Sequence, residues 1–116
     1  MGGIVMNKFE LFSMIYYALH HYWQTHNDKE LASFLSDMNP FLFDDIGSAV
    51  PSVYETYSLL VDKEISINDS FDIAHKYAKS IGLPAVIDAI DSIQEEDWKK
   101  RCAKYLASTH KGQNTN

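Results

Sequence analysis

The sequence predicts an all-α fold, a compact bundle of five to six helices with an irregular acidic and aromatic loop after the second. Three observations carry that expectation. Helix-start signals recur along the chain, apolar residues repeat at the i, i+3, i+4 spacing through most of it, and only one short stretch alternates as a strand would. The 116 residues, 46% hydrophobic and 13% aromatic, are too apolar for a disordered chain. Size scaling gives roughly 6,400 Å² exposed when folded against about 19,000 Å² unfolded, enough burial for one core and not two. No apolar run approaches the roughly 18 to 20 residues of a membrane span.

The first helix is expected from about Lys8 to Thr25. Asn7, followed three positions later by Glu10, has the form of a capping box. Phe9, Phe12, Tyr16, Leu19 and Trp23 make one stripe, and Leu11, Ile15, Ala18 and Tyr22 an adjacent one. An apolar arc about 160° wide places this helix at the centre of the fold, with Glu10, Ser13, Tyr17, His20, His21 and Gln24 on its polar side. Asn27 to Glu30 repeats the start signal, Leu31, Phe34, Leu35 and Met38 keep helical spacing, and Asn39–Pro40 ends the element. The short connection makes the two an antiparallel hairpin.

Phe41 to Pro51, FLFDDIGSAVP, follows neither period, and Gly47 and Pro51 interrupt any regular element. It reads as an ordered loop. Pro51 suits the first turn of a third helix, marked by Val53, Tyr54, Tyr57, Leu60 and Val61 and expected to end near Asp62. Glu64 to Ile67 alternates, but so short a stretch reads as an extended connection rather than a strand paired with Gly3 to Val5.

Asn68 to Ser70 is expected to cap a fourth helix, with Phe71, Ala74, Tyr77, Ala78 and Ile81 on one face and Gly82 at the left-handed C-terminal position. Pro84 starts a fifth, with Leu83, Val86, Ile87, Ile90 and Ile93 inward, and Ser92 with Glu95 caps a sixth running to about Ser108. The expected organisation is one helical domain over 1–108 and a disordered polar tail over 109–116. Phe12, Ile15, Leu19, Leu35, Tyr77, Ile87, Ile90 and Leu106 are the expected core.

The net charge of −6 is unevenly spread. From Ser36 to Asp97, 13 carboxylates face Lys63, Lys76 and Lys79, a balance of −10, whereas Lys99, Lys100, Arg101, Lys104 and Lys111 face no acid after Trp98. Binding of nucleic acid by the body of the protein is therefore disfavoured, because it needs cations to displace phosphate counterions. A basic protein partner fits better. Met1 to Met6 lacks the basic start of a secretory signal, no membrane anchor is visible, and a cytoplasmic location is expected. The single Cys102 falls on an apolar stripe with Trp98, Tyr105 and Leu106, which makes it a core residue rather than a reactive thiol.

Three constellations invite chemistry. His20, His21 and His26 lack the i, i+3 or i+4 spacing of two ligands on one helix face, so solvated or partner-contacting side chains are expected there. His75 lies three residues after Asp72, which could orient its imidazole, and Asp88, Asp91 and Glu95 line one side of the last two helices. Both are read as helix surface. No GxSxG, Walker, GxGxxG, HExxH or EF-hand pattern occurs, so no catalytic residue, cofactor or metal is assigned.

The most informative segment is Asn39 to Tyr57, which sets Phe41, Phe43, Tyr54 and Tyr57 among Asp44, Asp45 and Glu55. Rings supply area to bury and carboxylates supply steering, as a surface for a cationic protein requires; the competing expectation is that Phe41, Leu42 and Phe43 plug the core from an irregular loop, and both can hold for different rings. In composition and class the chain resembles bacterial toxin-immunity proteins, which bind and block cationic nuclease toxins; that likeness rests on no motif and assigns no residue. The leading expectation is a non-enzymatic protein-binding domain, an immunity-type or antitoxin-type inhibitor of a basic partner, docking through Phe43, Asp44, Asp45, Tyr54, Glu55 and Tyr57. The alternatives are a self-associating adaptor that forms a homo-oligomer through Tyr17, Tyr22 and Trp23, and a small acid/base or metal-assisted enzyme using Asp88, Asp91 or His75.

Overall fold

The computed structural model describes residues 5–39, 51–61 and 64–107. Among them, six helices and two three-residue strands follow in the order β1 (Val5–Asn7), α1 (Lys8–His26), α2 (Lys29–Met38), α3 (Pro51–Ser58), β2 (Glu64–Ser66), α4 (Ile67–Ile81), α5 (Pro84–Asp91) and α6 (Glu95–Ala107). The fold is the expected all-α bundle. Of the loop expected from Phe41 to Pro51, residues 41–50 lie outside the described residues, as does the tail over 109–116, and Pro51 is the first residue of α3.

Helix α1 is central. Its cap is the expected reciprocal box: Glu10 N–H donates to Asn7 Oδ1 (2.8 Å) and Asn7 N–H to Glu10 Oε1 (2.9 Å). From Leu11 to Ile15 five consecutive residues are buried, so the first half of the helix is enclosed on every side, with α2, α3, α5 and α6 packed around it. Ser13, placed on the polar side by helical spacing, is fully buried. The helix ends where Asn27 turns left-handed at φ 53° and donates its N–H to the Trp23 carbonyl, a conformation that Asn tolerates better than other side chains. The next helix is capped by Asp28, not Asn27: Leu31 N–H donates to Asp28 Oδ1 at 2.9 Å.

The largest departure from expectation is the ribbon. Glu64–Ser66 does pair, antiparallel to Val5–Asn7, with Met6 opposite Ile65. Both are buried. Each strand runs straight into a helix, so the two short strands are held by α1 and α4 rather than by their own length; a buried cross-strand pair then suffices. The helix after β2 starts earlier than expected, because Ser66 Oγ accepts from Asp69 N–H (3.1 Å) and Asn68 to Ser70 are already helical.

Ser70 instead lies at the centre of a buried α4–α6 seam. Trp98 Nε1 donates to Ser70 Oγ (2.8 Å), and that hydroxyl donates to the Ile67 carbonyl (2.7 Å). Trp98 and Cys102 are fully buried here. Gly82 takes the expected left-handed position at φ 78°, and Pro84 opens α5. Ser92 does not cap α6; its hydroxyl donates backward to Ala89, and the first bond of α6 runs from Trp98 N–H to the Gln94 carbonyl. Six of the eight expected core residues are buried, while Ile87 and Leu106 are half-buried against the same core.

Candidate functional site

The acidic aromatic segment enters the described structure at α3. Tyr57 is fully buried, its ring 4.8 Å from Phe12 and 5.1 Å from Tyr77, and its hydroxyl donates to the Lys8 carbonyl at 2.6 Å. Burial, reinforced by the neighbouring Tyr54 and Tyr77, pushes its phenol far up. This ring is a structural anchor with no surface left to offer. Lys8 completes the clamp: its Nζ donates to the Ser58 carbonyl (3.1 Å) and to Ser58 Oγ (2.8 Å). The end of α3 is thus fixed to the start of α1 by three hydrogen bonds.

Tyr54 is half-buried, edge-on to Phe12 at 5.0 Å and to Phe9 at 6.0 Å, and burial raises its phenol as well. Glu55, the next residue, is exposed. Phe43, Asp44 and Asp45 lie outside the described residues.

Helix α3 stops at Ser58, before the expected end near Asp62, and the turn that follows exposes two leucines. Leu59 N–H donates to the Glu55 carbonyl and Leu60 N–H to the Tyr57 carbonyl. This one further loose turn projects Leu59, 87% exposed, and Leu60, 54% exposed, into solvent. Leu60, expected inward, is therefore outward, and Val61 takes the buried place. Val5, 51% exposed, stands three residues before the Lys8 clamp. Leu59 carried no signal in the sequence, because a Leu-Leu pair at a helix end fits the inward stripe equally well.

The other constellations resolve simply. His75 pairs with Asp91 (Nε2 to Oδ1, 3.4 Å) across α4 and α5, and not with Asp72, while its Nδ1 lies 2.8 Å from the Phe71 carbonyl. Asp88, Asp91 and Glu95 are exposed, with Glu95 paired to Lys99 at 3.3 Å. No three His, Cys, Asp or Glu side chains converge as a metal site among the described residues. Cys102 is buried, and desolvation, opposed by a hydrogen bond with Ser70, pushes its thiol up to about 12. A thiol so poorly ionised is a poor nucleophile. Tyr22 stacks on His26 at 3.7 Å, Trp23 is half-buried and Tyr17 is 41% exposed. Among the described residues, no helix is long and apolar enough to cross a membrane. Compared with protein-family models, characterised proteins and solved structures, the chain finds no match.

Proposed function

We infer that the chain is a non-enzymatic, cytoplasmic protein-binding domain, an inhibitor of the immunity or antitoxin type, whose acidic aromatic surface meets a basic protein. The observation that carries the reading is the pinned corner at the end of α3, where Leu59 and Leu60 stand in solvent one turn beyond Glu55. Apolar side chains held outward by a rigid anchor lose little entropy when a partner covers them, and burying one leucine contributes about 1.5 to 3 kcal/mol. The surrounding segment, from Ser36 to Asp97, carries the −10 charge balance that steers a cation. Tyr57 supports the surface from beneath; Phe43, Asp44, Asp45, Tyr54 and Glu55, with Leu59 and Leu60 added, are the residues that meet the partner.

The test is kinetic. With a basic partner isolated at low ionic strength from the native host, changing Asp44, Asp45 and Glu55 to their amides should slow association and flatten its salt dependence, leaving dissociation nearly unchanged. Unaltered association in the folded triple variant would rule out steering by this surface.

A further inference from the structure

On the side of α1 that faces α6 the electrostatics reverse. Tyr17, His20, His21 and Gln24 recur at i, i+3, i+4 and i+7 and so share one helix face. Across from them stands Arg101 of α6, and together these five residues line an open groove of about 400 Å³. In a chain with 16 carboxylates, this lining contains none.

Arg101 is half-buried, and among the described residues no carboxylate pairs with it. Asp97, one turn before it, lines a neighbouring groove that Arg101 and His21 also border, but not this one, and no ion pair joins it to Arg101 among the described residues. Glu10, at the far end of the same face of α1, is committed to the cap with Asn7. Lys104, one turn after Arg101, is exposed and adds to the positive field. His20 is held between rings, 5.9 Å from both Tyr16 and Trp23, and Tyr17, exposed, brings a phenol ring to the groove, braced edge-on by Tyr105 at 5.9 Å.

The chemistry is complementary to one kind of ligand. A guanidinium donates two parallel N–H bonds to an oxyanion, imidazole and amide N–H groups add further donors, and an aromatic wall stacks on a flat ring. The volume lies within the roughly 300 to 1,000 Å³ of small-molecule sites. We propose that the α1–α6 groove binds a small oxyanion carried on a flat ring, the chemistry of a nucleoside monophosphate. Arg101 holds the anion, His20, His21 and Gln24 supply the flanking donors, and Tyr17 carries the ring. The site is distinct from the α3 corner and opposite to it in charge, so the two stand or fall separately.

Proton–carbon NMR of the full chain, titrated with adenosine 5′-monophosphate, tests the assignment. Saturable shifts of the Tyr17, His20 and His21 ring signals are expected, with a dissociation constant in the millimolar range that suits an open groove. Arg101→Met, which keeps the aliphatic stem and removes the guanidinium, should weaken binding about tenfold or more. His21 is exposed, so His21→Ala keeps the fold and should weaken binding by a smaller factor. Adenosine and inorganic phosphate, added separately, should each bind more weakly than the monophosphate. Absence of saturable shifts overturns the proposal, as does unchanged affinity in a folded Arg101→Met or His21→Ala variant. Adenosine binding as tightly as the monophosphate removes the anion from the assignment, and inorganic phosphate doing so removes the ring.

Discussion

The α4–α6 seam and the α3 corner are both fixed by side-chain hydrogen bonds, yet they treat apolar residues in opposite ways. At the seam, Trp98 and Cys102 are fully enclosed and the single indole N–H finds Ser70. At the corner, Tyr57 is equally enclosed and equally well bonded, but the two residues that complete its turn are leucines left in solvent. Poor packing does not explain the difference, since Tyr57, Phe12 and Tyr77 form a tight ring cluster directly beneath. On the function proposed above, a corner that is rigid below and apolar above is the place a partner would cover.

If that contrast is right, the two regions respond differently to substitution. The largest effect belongs to the seam: Trp98→Ala should lower stability by about 3 to 5 kcal/mol, since it empties the largest buried volume in the protein. A chemical denaturation midpoint close to the parent's would move Trp98 out of the core. Ser70→Ala should cost about 1 to 3 kcal/mol, because it orphans the buried Trp98 N–H. Combined with Trp98→Phe, which removes that donor, the same change should cost clearly less, and a double-mutant cycle measures the coupling.

Alkaline pH tests both regions together. Burial suppresses the ionisation of Tyr57 at the corner and of Tyr77 and Cys102 in the core, so the folded chain keeps these protons where the unfolded chain loses them. The stability they confer is complete below their unfolded values, 9.0 for the thiol and 10.0 for the phenols, and is lost as pH rises above them. The slope should approach about 1.4 kcal/mol per pH unit for each group engaged. Urea midpoints that stay flat between about pH 8 and about pH 11 would show that these groups are not buried as neutral acids.

Smaller effects mark the corner. Tyr57→Phe keeps the ring and removes the bond to Lys8, for a loss of about 1 kcal/mol in thermal or urea unfolding. Outside the corner, at the end of α4, Gly82→Ala should cost a similar amount, about 1 kcal/mol, through backbone strain alone, because a methyl group there meets no atom within 4 Å.

The bundle was legible in the sequence because its signals are local. The Asn7–Glu10 box, Pro51, Gly82 and Pro84 each act within one turn, and all four stand where expected. What escaped depends on partners distant in sequence. The Met6–Ile65 pair joins residues that neither strand could specify alone. Helical spacing puts Ser13 on the polar side because it cannot show that Tyr105 of α6 reaches it, and Ser70 reads as a cap because its true partner, Trp98, lies 28 residues on. At the candidate site the composition gave the acidic aromatic character of the segment but not its sidedness. Leu60 turns outward because α3 ends one turn early, at the Lys8 clamp, and Tyr57 is buried because Phe12 and Tyr77, from distant helices, enclose its ring.

The central claim is that the outward leucines of the corner serve binding rather than stability, and one comparison tests it directly. The Leu59→Ser, Leu60→Ser double variant should unfold at the parent's urea midpoint, because neither side chain lies in the core. Its complex with a basic protein partner from the native host, followed by calorimetry, should weaken by about 2 kcal/mol or more, roughly thirtyfold. Parent affinity in the folded double variant would contradict the account and remove this corner from the binding surface.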